Sequence, residues 1–224
     1  MTAILEARAL TRELPGPVPV TLVRDIDLTV EPGEFVAITG PSGSGKSSLL
    51  YLLGLLDTPT AGAVLVDGQP TAGLDDNLLA DLRLARFGFV FQFHFLLPEF
   101  SARANVEIPM RRLGSLGLGA IRQRADHLLG ALGLAEHADK LPEQLSGGQR
   151  PRVAIARALA NDPAVILADE PTGHLDSKSA GNVLALFRHL AREQRRAVIV
   201  VTHDADLAAS ADRRIHLVDG RVVP

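Results

Sequence analysis

The stretch Gly40-Pro41-Ser42-Gly43-Ser44-Gly45-Lys46-Ser47 decides the fold. Its glycines let the backbone turn so that several N–H groups face inward, which makes a concave site for an anion. Lys46 adds a positive charge, and the Ser47 hydroxyl can bind a Mg²⁺ ion that bridges phosphate groups. These residue types in the spacing G-x-x-x-x-G-K-[ST] predict a loop that binds the phosphates of a nucleotide.

The sequence on either side of this loop supports the same interpretation. Residues 34–39 form an apolar run that predicts a buried strand, and residues 47–53 predict a helix. The N-terminus of that helix would favour negative charge at the loop. The alternative is a chance Gly/Ser-rich turn, which the strand–loop–helix context disfavours.

Composition limits the possible classes of protein. The 224 residues fit one large α/β domain or a core with an inserted subdomain, and a dispersed net charge of −3 argues against a nucleic-acid binder. Without cysteine, neither disulfides nor thiolate chemistry is possible. We expect no signal peptide, and apolar runs such as residues 49–56 are far shorter than the ~20 residues that span a bilayer. A membrane protein could still hold the chain at a membrane.

The order of predicted elements indicates an α/β fold with two additions. Residues 4–11 and 20–30 predict a partly exposed antiparallel sheet, joined by a Pro/Gly loop over 14–19. Further strands are predicted at 63–66, 87–91, 164–168, 197–201, 215–218 and 221–223. Helices are predicted at 74–84, 102–107, 120–132, 149–160, 178–192 and 205–209, with a flexible connection over 114–119.

We therefore predict a phosphate-loop (P-loop) nucleoside triphosphatase core with a mainly parallel sheet. The core would comprise residues 1–92 and 164–224 and include an N-terminal antiparallel β subdomain. Residues 93–163 would form an inserted helical subdomain, because strand patterns vanish there and helical periodicity takes over.

Polar residues follow three further apolar strands, namely Gln92, Asp169-Glu170 and His203. In a parallel sheet the carboxyl ends of strands meet at one edge, so these groups would surround one nucleotide. Asp169 would hold Mg²⁺, and Glu170 would act as general base for the attacking water. Gln92 could bind Mg²⁺ or that water, and His203 could donate to the outer phosphate. The alternatives are a helix cap for the Asp-Glu pair, an exposed polar residue for Gln92 and a structural histidine for His203.

A second candidate anion site is Leu145-Ser146-Gly147-Gly148-Gln149, a Ser-Gly-Gly turn that opens a helix. Two phosphate sites on different subdomains cannot both grip one outer phosphate within a single chain. A head-to-tail dimer resolves this, because each nucleotide would then lie between the phosphate loop of one copy and the turn of the other.

Together these motifs resemble the ATP-binding-cassette (ABC) ATPases over nearly the whole chain. Residues 40–47 match Walker A, Gln92 the Q-loop, residues 145–149 the signature, residues 165–170 Walker B and His203 the switch histidine. Leu175-Asp176 matches the D-loop. The resemblance implies that ATP binds to residues 40–48, including Ser48, and that Mg²⁺ binds to Ser47, Gln92 and Asp169. It also implies a homodimer with Glu170, Gln92 and His203 in catalytic roles.

A finer resemblance concerns Phe91-Gln92-Phe93-His94-Phe95-Leu96-Leu97-Pro98-Glu99-Phe100. This segment is similar to the lipoprotein-release (LolD) and macrolide-exporter (MacB) group. It implies a peripheral subunit on the cytoplasmic face of the inner membrane, whose groove near residues 92–100 receives an integral membrane permease subunit. No nucleic-acid partner is expected. Alternatives are that these apolar residues form subdomain core, that the chain transmits force or signals like FtsE, or that it serves DNA repair or translation.

The chain departs from the ABC pattern in three places. Pro151 would disturb the signature helix if that helix began at Ser146. Residues 11–20 lack the aromatic side chain that would stack on adenine, and this predicts weak selection of the base. His174 stands where smaller residues are usual, next to the predicted D-loop.

Overall fold

The computed structural model describes residues 3–173, 175 and 177–223, without the side chain of Lys178. The strands are β1 (Leu5–Leu14), β2 (Val20–Val30), β3 (Phe35–Thr39), β4 (Ala61–Val66), β5 (Gln69–Pro70), β6 (Phe87–Val90), β7 (Val165–Asp169), β8 (Ala197–Val201), β9 (Arg213–Val218) and β10 (Arg221–Val223). The α-helices are α1 (Lys46–Leu53), α2 (Asp76–Arg86), α3 (Ala102–Leu113), α4 (Leu118–Ala131), α5 (Gln149–Ala158), α6 (Ser177–Arg192) and α7 (Ala205–Ala209).

The smaller sheet has the order β2-β1-β4-β5 and is antiparallel throughout. This confirms the antiparallel sheet predicted for the N-terminal part of the chain. Alternate residues of β2, such as Ile26, Leu28 and Val30, are buried, while the residues between them are exposed. The edge strand β5 was not predicted, because it is two residues long and one of them is Pro70, which cannot donate to a ladder.

The larger sheet has the order β10-β9-β3-β8-β7-β6. Strands β3, β6, β7 and β8 run parallel to one another, as their register shows. β7 and β8 are buried at every residue, as expected of short apolar strands that are covered on both faces. The mainly parallel α/β fold is confirmed, and the carboxyl ends of these four strands lie at one edge of the sheet.

Between β6 and β7 the described chain is helical, as predicted. Helices α3, α4 and α5 pack around their own cluster of buried side chains, which includes Val106, Met110, Leu129 and Val153. Helix α3 runs six residues beyond its predicted end. Pro109 removes one backbone donor there, but the buried Met110 anchors the last turn. The predicted flexible connection is also shorter, since α4 begins at Leu118.

The subdomain boundaries at residues 92/93 and 163/164 stay a prediction. Among residues 3–173, 175 and 177–223, no helix is both long and apolar enough to cross a membrane.

Candidate nucleotide-binding site

The glycine-rich loop lies between β3 and α1, at the edge where the parallel strands end. Gly45 caps α1 in the left-handed region, with φ of 95°. A methyl group there would lie 2.1 Å from the carbonyl oxygen of Leu22. At Gly40, with φ of 143°, a methyl group would lie 2.1 Å from the carbonyl oxygen of Leu217. The loop therefore fits between β2 and β9 only with glycine at both positions.

Lys46 folds back across this loop, and its Nζ donates to the carbonyl oxygens of Gly40 and Pro41 at 3.0 and 2.8 Å. Ser44 is buried, and its Oγ has no hydrogen-bond partner among the described residues. A buried hydroxyl without a partner is costly, so a ligand that bonds to it would be favoured. Around the Cα of Gly43 the space is open. These features fit the phosphates predicted from the sequence.

Asp169 ends β7 directly beside the start of α1. The Ser47 hydroxyl donates to its Oδ1 at 3.1 Å, and the Tyr51 hydroxyl donates to its Oδ2 at 3.0 Å. Burial raises the pKa of Asp169, and the hydrogen bonds from Tyr51 and Ser47 oppose that rise. Burial and the Asp169 carboxylate raise the pKa of Tyr51 to about 12. The oxygens of Ser47 and Asp169 are ligands that suit Mg²⁺.

Glu170, the next residue, points in a different direction and contacts His203. Its Oε2 lies 2.8 Å from His203 Nδ1 and accepts from the His203 backbone N–H at 3.4 Å. The backbone of Glu170 is left-handed, with φ of 47°, and its N–H donates to the carbonyl of Val201 at the end of β8. Such a conformation costs about 1–3 kcal/mol and is often found at functional sites. The structure thus pairs two predicted catalytic residues with each other.

The backbone around His203 is held on both sides. The N–H of Thr202 donates to the carbonyl of Ile38 in β3. Asp204 accepts from the N–H groups of Asp206 and Leu207, so it is the N-cap of α7. His203 itself is exposed, with 72% of its side chain accessible, and can meet a ligand at the strand edge.

Gln92 follows β6, the strand that pairs with β7, and β7 ends at Asp169. The side-chain amide of Gln92 lies close to Gly173, three residues after Glu170. A methyl group added at Gly173 would be 3.8 Å from Gln92 Nε2. Gln92 therefore lies beside the turn that carries Glu170. Two further predicted residues, His174 and Asp176 of the D-loop, lie outside the described residues.

The Ser-Gly-Gly turn precedes α5. Leu145 is buried, whereas Ser146 and Gly147 are exposed. The Ser146 N–H donates to Gln149 Oε1 at 2.9 Å, and the Ser146 carbonyl accepts from the N–H groups of Gln149 and Arg150. A methyl group at Gly148 would lie 3.0 Å from Ser179 Oγ of α6. The turn thus exposes its Ser-Gly tip and packs its base against the core.

The condition under which Pro151 would disturb the signature helix, a helix start at Ser146, is not met in this structure. Helix α5 begins at Gln149, not at Ser146, so Pro151 lies in the first helical turn, where backbone N–H groups have no intrahelical partner. Arg150 keeps its helical conformation. The proline therefore lies where helices tolerate it, and the missing donor concerns only the Gly147 carbonyl outside α5.

The segment after Gln92 presents apolar side chains to solvent. The exposed fractions are 69% for Phe93, 60% for Phe95, 42% for Leu97 and 45% for Phe100, whereas Leu96 packs against the helical cluster. The alternative that these residues are core therefore holds only for Leu96. Beside Phe95 is a cavity of about 470 Å³, lined by Phe89, Phe91, Ile108 and Pro109, among others.

Two polar side chains hold this segment in place. Arg157 of α5 donates to the carbonyl oxygens of His94 and Phe95, each at 2.6 Å, and burial lowers the pKa of Arg157. Asn105 of α3 is fully buried and bonds to both backbone groups of Leu97. His94 and Phe95 have φ of 61° and 45°, which is the left-handed region. The hydrogen bonds from Arg157 and Asn105 stabilise the segment in this conformation.

Sequence reasoning missed Tyr51 and Arg157. The signal for Tyr51 was its spacing, because residues four apart lie on the same face of a helix and Ser47 was already assigned to the site. Arg157 offered a weaker signal, because it is one of three arginines in α5, and only the fold shows that it reaches a segment 62 residues earlier.

Comparison with known proteins bears on these motifs. Residues 23–173 match the ABC transporter family model. The chain is 52% identical over 210 residues to the lipoprotein-releasing system ATP-binding protein LolD 1 of Chlorobium chlorochromatii, with 94% of this chain and 85% of that protein covered. It is also 52% identical to the macrolide export ATP-binding/permease protein MacB of Rhodopseudomonas palustris, covering 98% of this chain but 33% of that longer protein.

A solved structure agrees in fold. The ATP-binding cassette MJ0796, a dimer in a post-hydrolysis state bound to ADP and phosphate, superposes with a TM-score of 0.93 and 42% identity. The match covers 98% of this chain and 97% of that one. The family match, these identities and this superposition agree with the motifs: the chain belongs to the ABC transporter family of ATP-binding proteins.

Proposed function

We propose that this chain is the ATP-hydrolysing subunit of a transporter of the lipoprotein-release type. Two copies would work together on integral membrane partner subunits, at the cytoplasmic face of the inner membrane. The observation that carries the proposal is the convergence of Lys46, Ser47, Asp169 and Glu170 at one sheet edge, next to an exposed aromatic segment. The names of the relatives favour this type over an FtsE-like role.

Within the site, each group has a role that its surroundings support. Lys46 and the backbone N–H groups of residues 40 and 42–48 would bind the ATP phosphates. Ser47, Asp169 and Gln92 would hold Mg²⁺, which neutralises phosphate charge when bound. Glu170 would accept a proton from the attacking water, and His203 would hold Glu170 in orientation and donate to the outer phosphate.

The second wall of the site would come from another copy of the chain. Ser146 and Gly147 are exposed at the start of α5, where N–H groups and the helix dipole favour an anion. In the head-to-tail arrangement this tip would face the phosphates that the partner copy's loop holds. ATP would then close the pair, and hydrolysis would open it.

The exposed segment 93–100 and the adjoining cavity would receive the membrane partner. An exposed cluster of aromatic side chains beside a groove is typical of a helix-binding surface. The partner would select the cargo, and the names of the LolD relatives point to lipoprotein. We therefore propose export or extraction as the direction of transport.

The Glu170→Gln variant tests this proposal. Removing the base while keeping the side-chain shape should stop hydrolysis and leave ATP bound between two copies. Light scattering after gel filtration should then report a dimer with ATP and a monomer with ADP. Adding Lys46→Ala to the variant is the matched control and should abolish the dimer. A monomeric Glu170→Gln variant in saturating ATP would contradict the two-copy site.

A further inference from the structure

Tyr51 lies one helical turn after Ser47 on α1, and both hydroxyls point at Asp169. Ser47 donates to Oδ1 at 3.1 Å, and Tyr51 donates to Oδ2 at 3.0 Å. The carboxylate is thereby bonded at both oxygens. The terminal torsion of an aspartate is broad, so two donors on opposite oxygens restrict it to one orientation.

The two donors are not equivalent. Ser47 is a proposed ligand of the cation, so a bound metal would fix the position of its oxygen, while its O–H could still donate to Asp169. The Tyr51 hydroxyl has no competing role at the loop. It can therefore hold Asp169 Oδ2, the oxygen away from Ser47, in the same orientation with or without nucleotide.

The ring of Tyr51 is itself fixed. Phe91 meets it edge-on, with ring centroids 6.4 Å apart, and Phe91 stacks on Phe89 at 5.8 Å. The backbone carbonyl of Tyr51 accepts from Leu56 and Asp57 just after the helix. A phenol held by its ring and its backbone can fix the group to which it donates.

We infer that Tyr51 is a positioning residue for Asp169, which it holds in the orientation that presents Oδ1 to the cation beside Ser47. The nature of the cation and nucleotide rests on the proposed function, whereas the hydrogen bond itself does not. The competing explanation is that Tyr51 only satisfies a buried carboxylate and supports the fold.

Intrinsic fluorescence tests the contact without nucleotide. Tyr51 is the one tyrosine of the chain, and there is no tryptophan, so all tyrosine emission comes from this site. A phenol that donates to a carboxylate emits weakly, so Asp169→Ala should brighten the protein. Glu170→Gln changes a neighbouring carboxylate that does not bond to Tyr51 and should leave emission unchanged. Equal emission from all three proteins would overturn the inference.

Metal affinity tests the positioning. Tyr51→Phe keeps the ring and removes the hydroxyl, and groups that orient metal ligands typically contribute 10–100-fold to affinity. With saturating ADP, the free Mn²⁺ signal in electron paramagnetic resonance should report about tenfold weaker binding of Mn²⁺ to Tyr51→Phe. Affinity for ADP without metal should not change. Phe89→Leu, which loosens the same aromatic cluster without touching Asp169, should lower Tm but retain Mn²⁺ affinity.

The results separate the possible failures. If Tyr51→Phe lowers Tm as Phe89→Leu does and binds Mn²⁺ like the parent protein, Tyr51 is a structural residue and the inference is wrong. If the parent protein itself binds no ADP with Mn²⁺, the proposed function fails, and the fluorescence comparison still decides whether Tyr51 bonds to Asp169.

Discussion

Replacing Arg157 with methionine tests how the exposed segment after Gln92 is held. Methionine keeps most of the aliphatic stem of the arginine but removes both hydrogen bonds to the His94 and Phe95 carbonyls. The change should free the segment locally, because α5 and its core contacts do not depend on the guanidinium group.

The size of the effect follows from two opposing terms. A hydrogen bond from a charged donor contributes about 1.5–3 kcal/mol, so two bonds give at most about 3–6 kcal/mol. Burial opposes this, because it removes water from the guanidinium charge and thereby lowers the pKa of Arg157. A net local loss of about 2 kcal/mol is expected, which corresponds to roughly 30-fold faster opening.

Hydrogen exchange followed by mass spectrometry measures this opening. Peptides that cover residues 91–100 should exchange roughly 30-fold faster in Arg157→Met, while peptides from β7 and β8 stay protected. Arg122→Met, at an exposed arginine of α4, is the control and should match the parent protein. Unchanged exchange over 91–100 would show that water replaces the guanidinium without cost. Faster exchange throughout the chain would show that Arg157 supports the whole fold.

Three further predictions concern the loop, an ion pair before β7 and β8, and the nucleotide base. Gly45→Ala should abolish nucleotide binding, because its methyl group would overlap a β2 carbonyl oxygen. Gly43→Ala meets open space and should weaken binding by only about 1 kcal/mol, the strain of its positive φ. Isothermal titration with ATP compares the two variants. Hydrogen bonding to Arg196 lowers the pKa of Asp162 in the folded protein. The contribution of Asp162 to the free energy of unfolding, under about 1 kcal/mol for so exposed a group, should be present above pH ~4 and vanish as pH falls through the folded pKa. Urea unfolding of Asp162→Asn should therefore approach the parent curve only in acid. GTP should bind within about tenfold of ATP, since residues 11–20 offer the base no aromatic side chain, and Val18→Tyr should widen that ratio.

Much of the fold was predictable because its signals are local. Short apolar strands that alternate with helices specify a parallel sheet, and once the sheet is parallel the residues after β3, β6, β7 and β8 must share an edge. That argument places Gln92, Asp169, Glu170 and His203 near Lys46 without any knowledge of loops. Their roles in catalysis stay predictions.

What the sequence could not predict depends on contacts between distant elements. The Glu170–His203 contact requires the left-handed turn at Glu170, which no residue pattern announces. The effect of Pro151 depended on where α5 begins, and helix starts are uncertain by several residues from sequence alone. The bonds from Arg157 to residues 94 and 95 appear only when α5 packs beside the end of β6.

The side chains of the site are already hydrogen-bonded to other groups of the same chain, and this affects the free energy of nucleotide binding. Lys46 is bonded to loop carbonyls, Asp169 to Ser47 and Tyr51, and Glu170 to His203. Binding ATP would therefore exchange existing bonds for new ones, and the net gain from one copy would be smaller than the number of phosphate contacts suggests. In the proposed pair, the exposed tip formed by Ser146 and Gly147 would gain contacts when the second copy approaches. It follows that closure of the pair, rather than binding to a single copy, would release most of the free energy available to move a membrane partner.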